Sequence, residues 1–240
     1  MTLIETTPPI TIDVAPGRPP FWSTTKAVAL ALSMALVGAG IGFASANKST
    51  VSKPGPVDIG FVRDMMDHHD QAVEMANLVL SAGSGARPVV SGYAREVITW
   101  QRWEEGWMEA WLQEWKVDRE PDRPTVMGWM GMAMSPSEMP GLQSETNMQE
   151  LATSKGAKLD ERFLTMMREH HLGGVAMADY AAKWAKKDKV AGLAATMAKN
   201  QRFEIADYEK MMATLGITVP PVPASITHMA RMSDLEPPKA

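Results

Sequence analysis

Apolar residues follow two rhythms along this chain. From Ala27 to Ala46 they run without a single charge, between Lys26 and Asn47. At the helical rise, twenty residues match the hydrocarbon thickness of a bilayer, so the run predicts a single-pass transmembrane anchor. Ala44-Ser45-Ala46 has the small-x-small form of a signal-peptide cleavage site, but the length of the run favours an anchor that is retained. Lys and Arg are balanced across the segment, and the default for a lone signal-like anchor places the downstream chain outside the cytoplasm, on the periplasmic side. Gly38 and Gly42 form a small-xxx-small pair suited to packing against another membrane helix. Residues 1–26, rich in Pro and Thr, predict a disordered tail.

After a linker over 47–57 that contains Pro54-Gly55-Pro56, the rhythm changes to three and four. Positions 61/62, 65, 68/69, 72, 75/76 and 79 make an apolar stripe on a helix from about Asp58, a candidate N-cap, to Ser81. The polar residues on it are His68 and His69, so the doublet faces the core. The stripe then recurs at 163/164, 167, 170/171, 174, 177/178 and 181, and His170 and His171 hold the places of the first doublet. Phe61 matches Phe163, Met65 matches Met167, and Met75 matches Met177, without a gap.

Each copy is followed by a second helix, about Pro88 to Lys116 and Val190 to Leu215, in which Gln101-Arg-Trp-Glu104 corresponds to Gln201-Arg-Phe-Glu204. Trp100, Trp103, Trp107, Trp111 and Trp115 fall on one side of the first of these. They predict a core face with one or two rings at the surface, and Glu104 falls inside it. The chain thus predicts an all-α protein: an antiparallel four-helix bundle over 58–218, built from two repeated hairpins (58–120 and 159–218) with internal pseudo-twofold symmetry. The connection 121–158 carries five Met between Met127 and Met139, a pattern that suits soft-metal capture and adaptable packing equally. Ser135-Pro-Ser-Glu138 in it is a capping box that predicts a short helix. The Pro-rich tail over 219–240 predicts extended or disordered chain, with His228 at the surface.

Composition narrows the function classes. A net charge of −4 and a pI near 5.8, with no basic cluster, exclude a nucleic-acid partner. The absence of cysteine removes thiolate metal sites and thiol nucleophiles. Twenty methionines and two histidine doublets remain as the candidate chemistry. Across a pseudo-twofold, up to four imidazoles with Met65 and Met167 one turn away can converge on one pocket, a soft to borderline ligand set that suits copper, above all Cu(I). Glu104 and Glu204 then suit carboxylates that accept a hydrogen bond from a ligand histidine. Neighbouring residues on a helix point about 100° apart, so one histidine of each doublet leads; which one is open at this point. No Glu-x-x-His or His-Glu-x-x-His occurs, against di-iron and zinc-protease chemistry. The same histidines, with Gln101, Gln201, Glu104 and Glu204, would also serve as a buried polar network that sets the bundle's register.

Met65-Met-Asp-His-His69 with Ala72-Val-Glu-Met-Ala76, then Gln101 and Glu104, and the second copy Met166-Met-Arg-Glu-His-His171 with Val175-Ala-Met-Ala178, then Gln201 and Glu204, resemble the bacterial domain-of-unknown-function family 305. The resemblance covers about Asp58 to Leu215. It implies a ferritin-like bundle, exported or anchored outside the cytoplasm, with copper binding and tolerance associated with some relatives. The chain departs from the pattern at Gly173-Gly174, which stand where the first repeat has Gln71-Ala72 and open room beside the second doublet. The expected function is a membrane-anchored, extracytoplasmic copper-binding protein that sequesters or delivers the metal through His68, His69, His170, His171, Met65 and Met167. The alternative is a non-catalytic accessory or structural subunit of a larger membrane complex. An oxidoreductase using copper ranks last, since no nucleophile–base pair, phosphate loop or substrate pocket stands out.

Overall fold

The computed structural model describes residues 53–232 and 234–238. The tail over 1–26, the apolar segment 27–46 with Gly38 and Gly42, and linker residues 47–52 lie outside the described residues. No helix among the described residues is long and apolar enough to cross a membrane.

Four long helices follow the two stripes: α1 (Pro56–Ser81), α2 (Pro88–Trp115), α4 (Ala157–Trp184) and α5 (Asp188–Thr214). Two short helices join them, α3 (Glu145–Thr153) in the connection and α6 (Ala224–Met232) in the tail. Helices α1 and α4 pack antiparallel as the inner pair of a helical bundle, and each is backed by the second helix of its own hairpin. The two hairpins are tied to each other twice by one device. Asp58, in the first turn of α1, accepts the Lys187 backbone N–H (2.9 Å) at the start of α5. Asp160, in the first turn of α4, accepts the Arg87 backbone N–H (3.0 Å) and guanidinium (2.8 Å) at the start of α2. Asp58 is therefore not the N-cap itself. Gly55 holds that place and donates its N–H to the Asp58 carboxylate (2.6 Å). The two aspartates keep the repeat offset of the histidines, so each inner helix ties down the start of the opposite hairpin's outer helix.

The tryptophan side of α2 is core in part: Trp111 belongs to an apolar cluster, with Trp107 and Trp115 packed against it. Of its five rings only Trp111 is buried; Trp100, Trp107 and Trp115 are half-buried and Trp103 is 39% exposed. The buried edge is Ala94, Val97, Gln101, Glu104, Met108 and Leu112, whose smaller residues let α2 approach α1 closely. The rings border this edge and pack on each other, edge to face at 6.2 Å for Trp100–Trp103 and 6.0 Å for Trp103–Trp107. The tail also departs from expectation. Ile226 and Met229 are buried and hold α6 against α4, and an anchor pair at i and i+3 in nine residues is too short to show periodicity. His228, on the other side of α6, is exposed as expected.

The methionine-rich connection is packed rather than extended. Val126 and Met134 pair as an antiparallel bridge, and Asp64 accepts the Met127 N–H and the Trp129 indole N–H, both at 2.7 Å. Trp129 lies edge-on to Phe61 (5.8 Å) and Tyr180 (5.5 Å). Met127, Met130 and Met139 are buried and Met132 and Met134 partly so, which makes adaptable packing their observed role. Arg123 and Arg119 extend the hold on α1 by bridging Asp64, Asp67 and Asp70. The expected capping box is present at Ser135 and starts a single 3₁₀ turn, Pro136–Glu138.

The core is divided. One apolar cluster holds Phe61, Met65, Met108, Met177 and Met197; the other holds Met75, Val97, Phe163, Met167 and Met212. Between them, at mid-height, lies a layer of buried polar residues: His68, His69, Gln101, Glu104, Glu105, His170, His171 and Gln201. Because the two aspartate ties lie at opposite ends of the bundle, far from this layer, their losses should add. Asp58→Ala and Asp160→Ala should each lower stability by about 2 kcal/mol in urea unfolding, and the double variant by about the sum. A double variant no worse than either single one would show that the ties are not independent.

Candidate metal centre

The polar layer is where α1 crosses α4. A pseudo-twofold that relates residue 68 to residue 170 brings the two together on its axis. His68 and His170 stack with ring centroids 3.7 Å apart and planes tilted by 34°. All four doublet histidines are fully buried. The second member of each doublet turns outward to its own hairpin: His69 Nε2 lies 2.8 Å from Glu104 Oε2, and His171 Nε2 lies 2.7 Å from Glu204 Oε2. Tyr208 covers His171 edge-on at 5.5 Å.

This geometry divides the doublets, as a 100° step between neighbouring residues requires. His68 and His170 are the axial pair, and His69 and His171 are the carboxylate-held pair. The pocket in which up to four imidazoles converge is therefore not formed: among the described residues no three His, Asp or Glu side chains come together around a point that could hold an ion. Met65 and Met167, fully buried, stand three residues before His68 and His170 on the same helix faces. They belong to opposite apolar clusters, so one thioether lies on each side of the imidazole layer.

The layer carries many buried polar atoms without a hydrogen-bond partner. Both ring nitrogens of His68 and of His170 are among them, as are Nδ1 of His69 and of His171 and Oε1 of Gln101, Gln201 and Glu105. Gln201 lies in the space left by Gly174, where a Cβ would collide with its amide oxygen.

A strap of the connection, Met139–Gln143, closes the layer from outside. Gly141, at φ +96°, runs so close that a Cβ there would stand 2.9 Å from the His170 carbonyl oxygen and 3.1 Å from His68 Nε2. Gly173 on α4 is the groove for it, since a Cβ at Gly173 would overlap the Pro140 carbonyl and stand 2.8 Å from Gly141 Cα. The room opened by Gly173-Gly174 is thus filled by the strap and by Gln201. Gln71 on α1 grips the strap's far end: its amide donates to the Gln143 carbonyl (2.9 Å) and accepts the Gln143 N–H (2.6 Å). Helical periodicity reveals neither the strap nor the aspartate ties, although the repeat offset already sets Asp58 opposite Asp160.

A family model for a domain of unknown function, DUF305, matches residues 58–212. The chain belongs to the DUF305 family. A DUF305 protein of Streptomyces coelicolor described as secreted is 32% identical, with a TM-score of 0.63 over 69% of this chain and 97% of its own. A DUF305 fragment from Deinococcus radiodurans is 29% identical, with a TM-score of 0.57 over 69% and 99%. CopM in a Cu(II)-bound form is 24% identical, with a TM-score of 0.51 over 65% and 96%, a likeness of fold. No curated protein matches the chain.

Electrostatics set the protonation of the axial pair in this DUF305 bundle. Burial, and after it the neighbouring imidazoles, hold His68 and His170 well below the ordinary histidine value of 6.5. Both rings are therefore neutral, the form that offers a lone pair to a metal. Burial pushes Glu105 above its ordinary value, partly offset by the Arg102 guanidinium at 2.5 Å. The axial pair also gives folding a pH dependence of definite sign. Below 6.5 the unfolded chain protonates both histidines while the folded one does not, so stability falls as pH drops through that value. Each group contributes up to about 1.4 kcal/mol per pH unit, and neither contributes at higher pH. Urea unfolding midpoints from about pH 8 to about pH 5 should show this slope, and His68→Ala/His170→Ala should remove most of it. A slope unchanged in that variant would sink the assignment.

Proposed function

We propose that this DUF305 protein is an extracytoplasmic copper-binding protein that sequesters or delivers the metal inside its helical bundle. The observation that carries this reading is the set of six buried ring nitrogens without a partner, on four histidines in one layer. An unsatisfied buried polar atom costs about 1–3 kcal/mol, so a layer with several of them is expensive to keep without a ligand. A core that used its histidines only to set register would satisfy them. That consideration favours a ligand at this layer over the accessory-subunit reading.

The donors present fit copper. Neutral imidazoles and thioethers are soft to borderline ligands, and carboxylates approach only His69 and His171, from behind. His68 and His170 would hold the ion, with Met65 and Met167 as the thioethers at hand on either side. The Glu104 and Glu204 contacts orient His69 and His171 and raise their basicity. CopM, which shares the fold, is known in a Cu(II)-bound form, so such a bundle is compatible with holding copper. The relative described as secreted supports an extracytoplasmic place, and the apolar segment 27–46 would tether the bundle to the membrane there.

Cu(I) titration of the full chain in detergent against a competing chelator tests the reading. His68→Ala/His170→Ala should abolish tight binding, and Glu104→Gln/Glu204→Gln should weaken it by about tenfold to a hundredfold. Without metal, His68→Ala/His170→Ala should be at least as stable as the wild type at about pH 8, because it removes unpaired buried nitrogens. Equal and weak binding by wild type and both variants would overturn the proposal.

A further inference from the structure

The axial imidazoles are sealed in, and any ligand that reaches them has to move something. Three observations identify what moves. The strap Met139–Gln143 passes directly over the pair, with the Cβ position of Gly141 3.1 Å from His68 Nε2. It belongs to an irregular stretch, after the 3₁₀ turn Pro136–Glu138 and before α3, so it can lift without unwinding a helix. Its polar bonds are few and local, and its apolar hold is limited to Met139, buried in one cluster, and Leu142 packed against that cluster. Gln71 grips Gln143 at both its N–H and its carbonyl, and the Gln143 amide reaches the carbonyl oxygens of Gly141 (3.3 Å) and Met166 (3.5 Å). The alternative routes would separate α1 from α4, or either of them from its outer helix, and so open the apolar clusters along whole helices, where lifting the strap withdraws only Met139 and Leu142 from one of them.

The repeat gives the same assignment independently. Gln71 and Gly173 occupy equivalent positions, three residues after His68 and three after His170. One copy carries the side chain that grips the strap. The other carries no side chain and forms the groove in which the strap lies. A position shared by the two copies has thus taken two roles that concern only the strap.

We infer that residues 139–143 are the gate through which metal ions enter and leave the imidazole layer, with Gln71 as its latch and Gly173 as its seat. This rests on the copper reading above. Lifting the strap exposes His68 Nε2 and breaks the Gln71–Gln143 pair, so latch strength sets how often the site opens. Because the strap closes again over the loaded site, a weaker latch speeds entry and exit together and leaves the affinity nearly unchanged.

Access can be read without metal. Diethyl pyrocarbonate acylates exposed neutral imidazoles, and the exposed His228 supplies a reference rate in the same full-length molecule. Peptide mapping should show His68 and His170 reacting far more slowly than His228 in the wild type. Gln71→Ala, which removes two hydrogen bonds, should raise the His68 rate by about tenfold to a hundredfold. Gly173→Ala, which places a methyl group against the Pro140 carbonyl, should act in the same direction, while His228 does not change. In the same variants Cu(I) should load from, and be lost to, a chelator faster by a similar factor, with affinity within about threefold. If neither variant alters His68 labelling, or if both accelerate all four buried histidines equally through general unfolding, the gate is overturned while the copper reading stands. If labelling accelerates but no variant, nor the wild type, binds Cu(I), the copper reading fails and the strap is a cover without a cargo.

Discussion

The structure depends on one demand, that four imidazoles be buried together where two helices cross. Apolar side chains alone would make a continuous core along the bundle. Instead the core is cut at mid-height into two clusters, with the histidines, two glutamines and two glutamates in the cut. Interiors are densely packed and low in dielectric, so such a layer lasts only where neighbouring helices supply partners or where a ligand does. The outer helices supply half of what is needed: α2 brings Glu104 to His69 and α5 brings Glu204 to His171. The axial pair receives nothing comparable from the protein. This division between a supported and an unsupported imidazole within each doublet is what the proposed metal site rests on.

Repetition explains why the division is the same on both sides. Once two copies of a stripe pack antiparallel about a twofold, equivalent residues meet on the axis, and a residue on the axis meets its own equivalent. His68 and His170 are those residues, and the aspartates at the two ends keep the hairpins in register. The symmetry is broken by the connection, which has to pass on one side of the molecule. There Asp64, Asp67 and Asp70 bind it through Arg119 and Arg123, and there Gln71 and Gly173 diverge. A symmetric bundle thus carries an asymmetric cover.

Much of this is legible in the sequence because helical periodicity reports burial directly. The stripes on α1 and α4 place the doublets in the core, and the Gln-x-x-Glu pairs place Glu104 and Glu204 near them. Periodicity fails where side-chain size and turn geometry decide the outcome. The tryptophans of α2 share a side of the helix, yet close approach to α1 selects the Ala94, Val97 and Gln101 edge and leaves Trp103 39% exposed. Helix α6 is anchored by two residues, too few to show as a pattern, among prolines that read as a tail. The strap is hidden for another reason. Its course needs a left-handed backbone at Gly141 and a missing side chain at Gly173, so it depends on two stretches of backbone far apart in sequence, and the pattern of neither stretch encodes their meeting.

The methionine excess fits the same physical picture. A polar layer inside a bundle leaves irregular boundaries with the apolar clusters above and below it, and the flexible, polarizable thioether fills such boundaries well. Met65, Met66 and Met177 lie in one cluster and Met75, Met166 and Met167 in the other, so sulfur is available on both sides of the imidazoles without a dedicated loop. Burying a cation in such a place is unfavourable unless charge is compensated nearby. The compensation here is indirect: carboxylates behind His69 and His171 contribute negative charge to the layer without presenting hard oxygen ligands to the axial pair. On the proposed copper reading, soft neutral donors in front and anions one ring behind would favour a monovalent soft ion over a hard divalent one, because the smaller charge needs less compensation and the ligands match its softness. Such selectivity would be set by where the carboxylates stand. The same glutamates turned one helical position toward the axis would make a harder, carboxylate-rich centre in the same bundle.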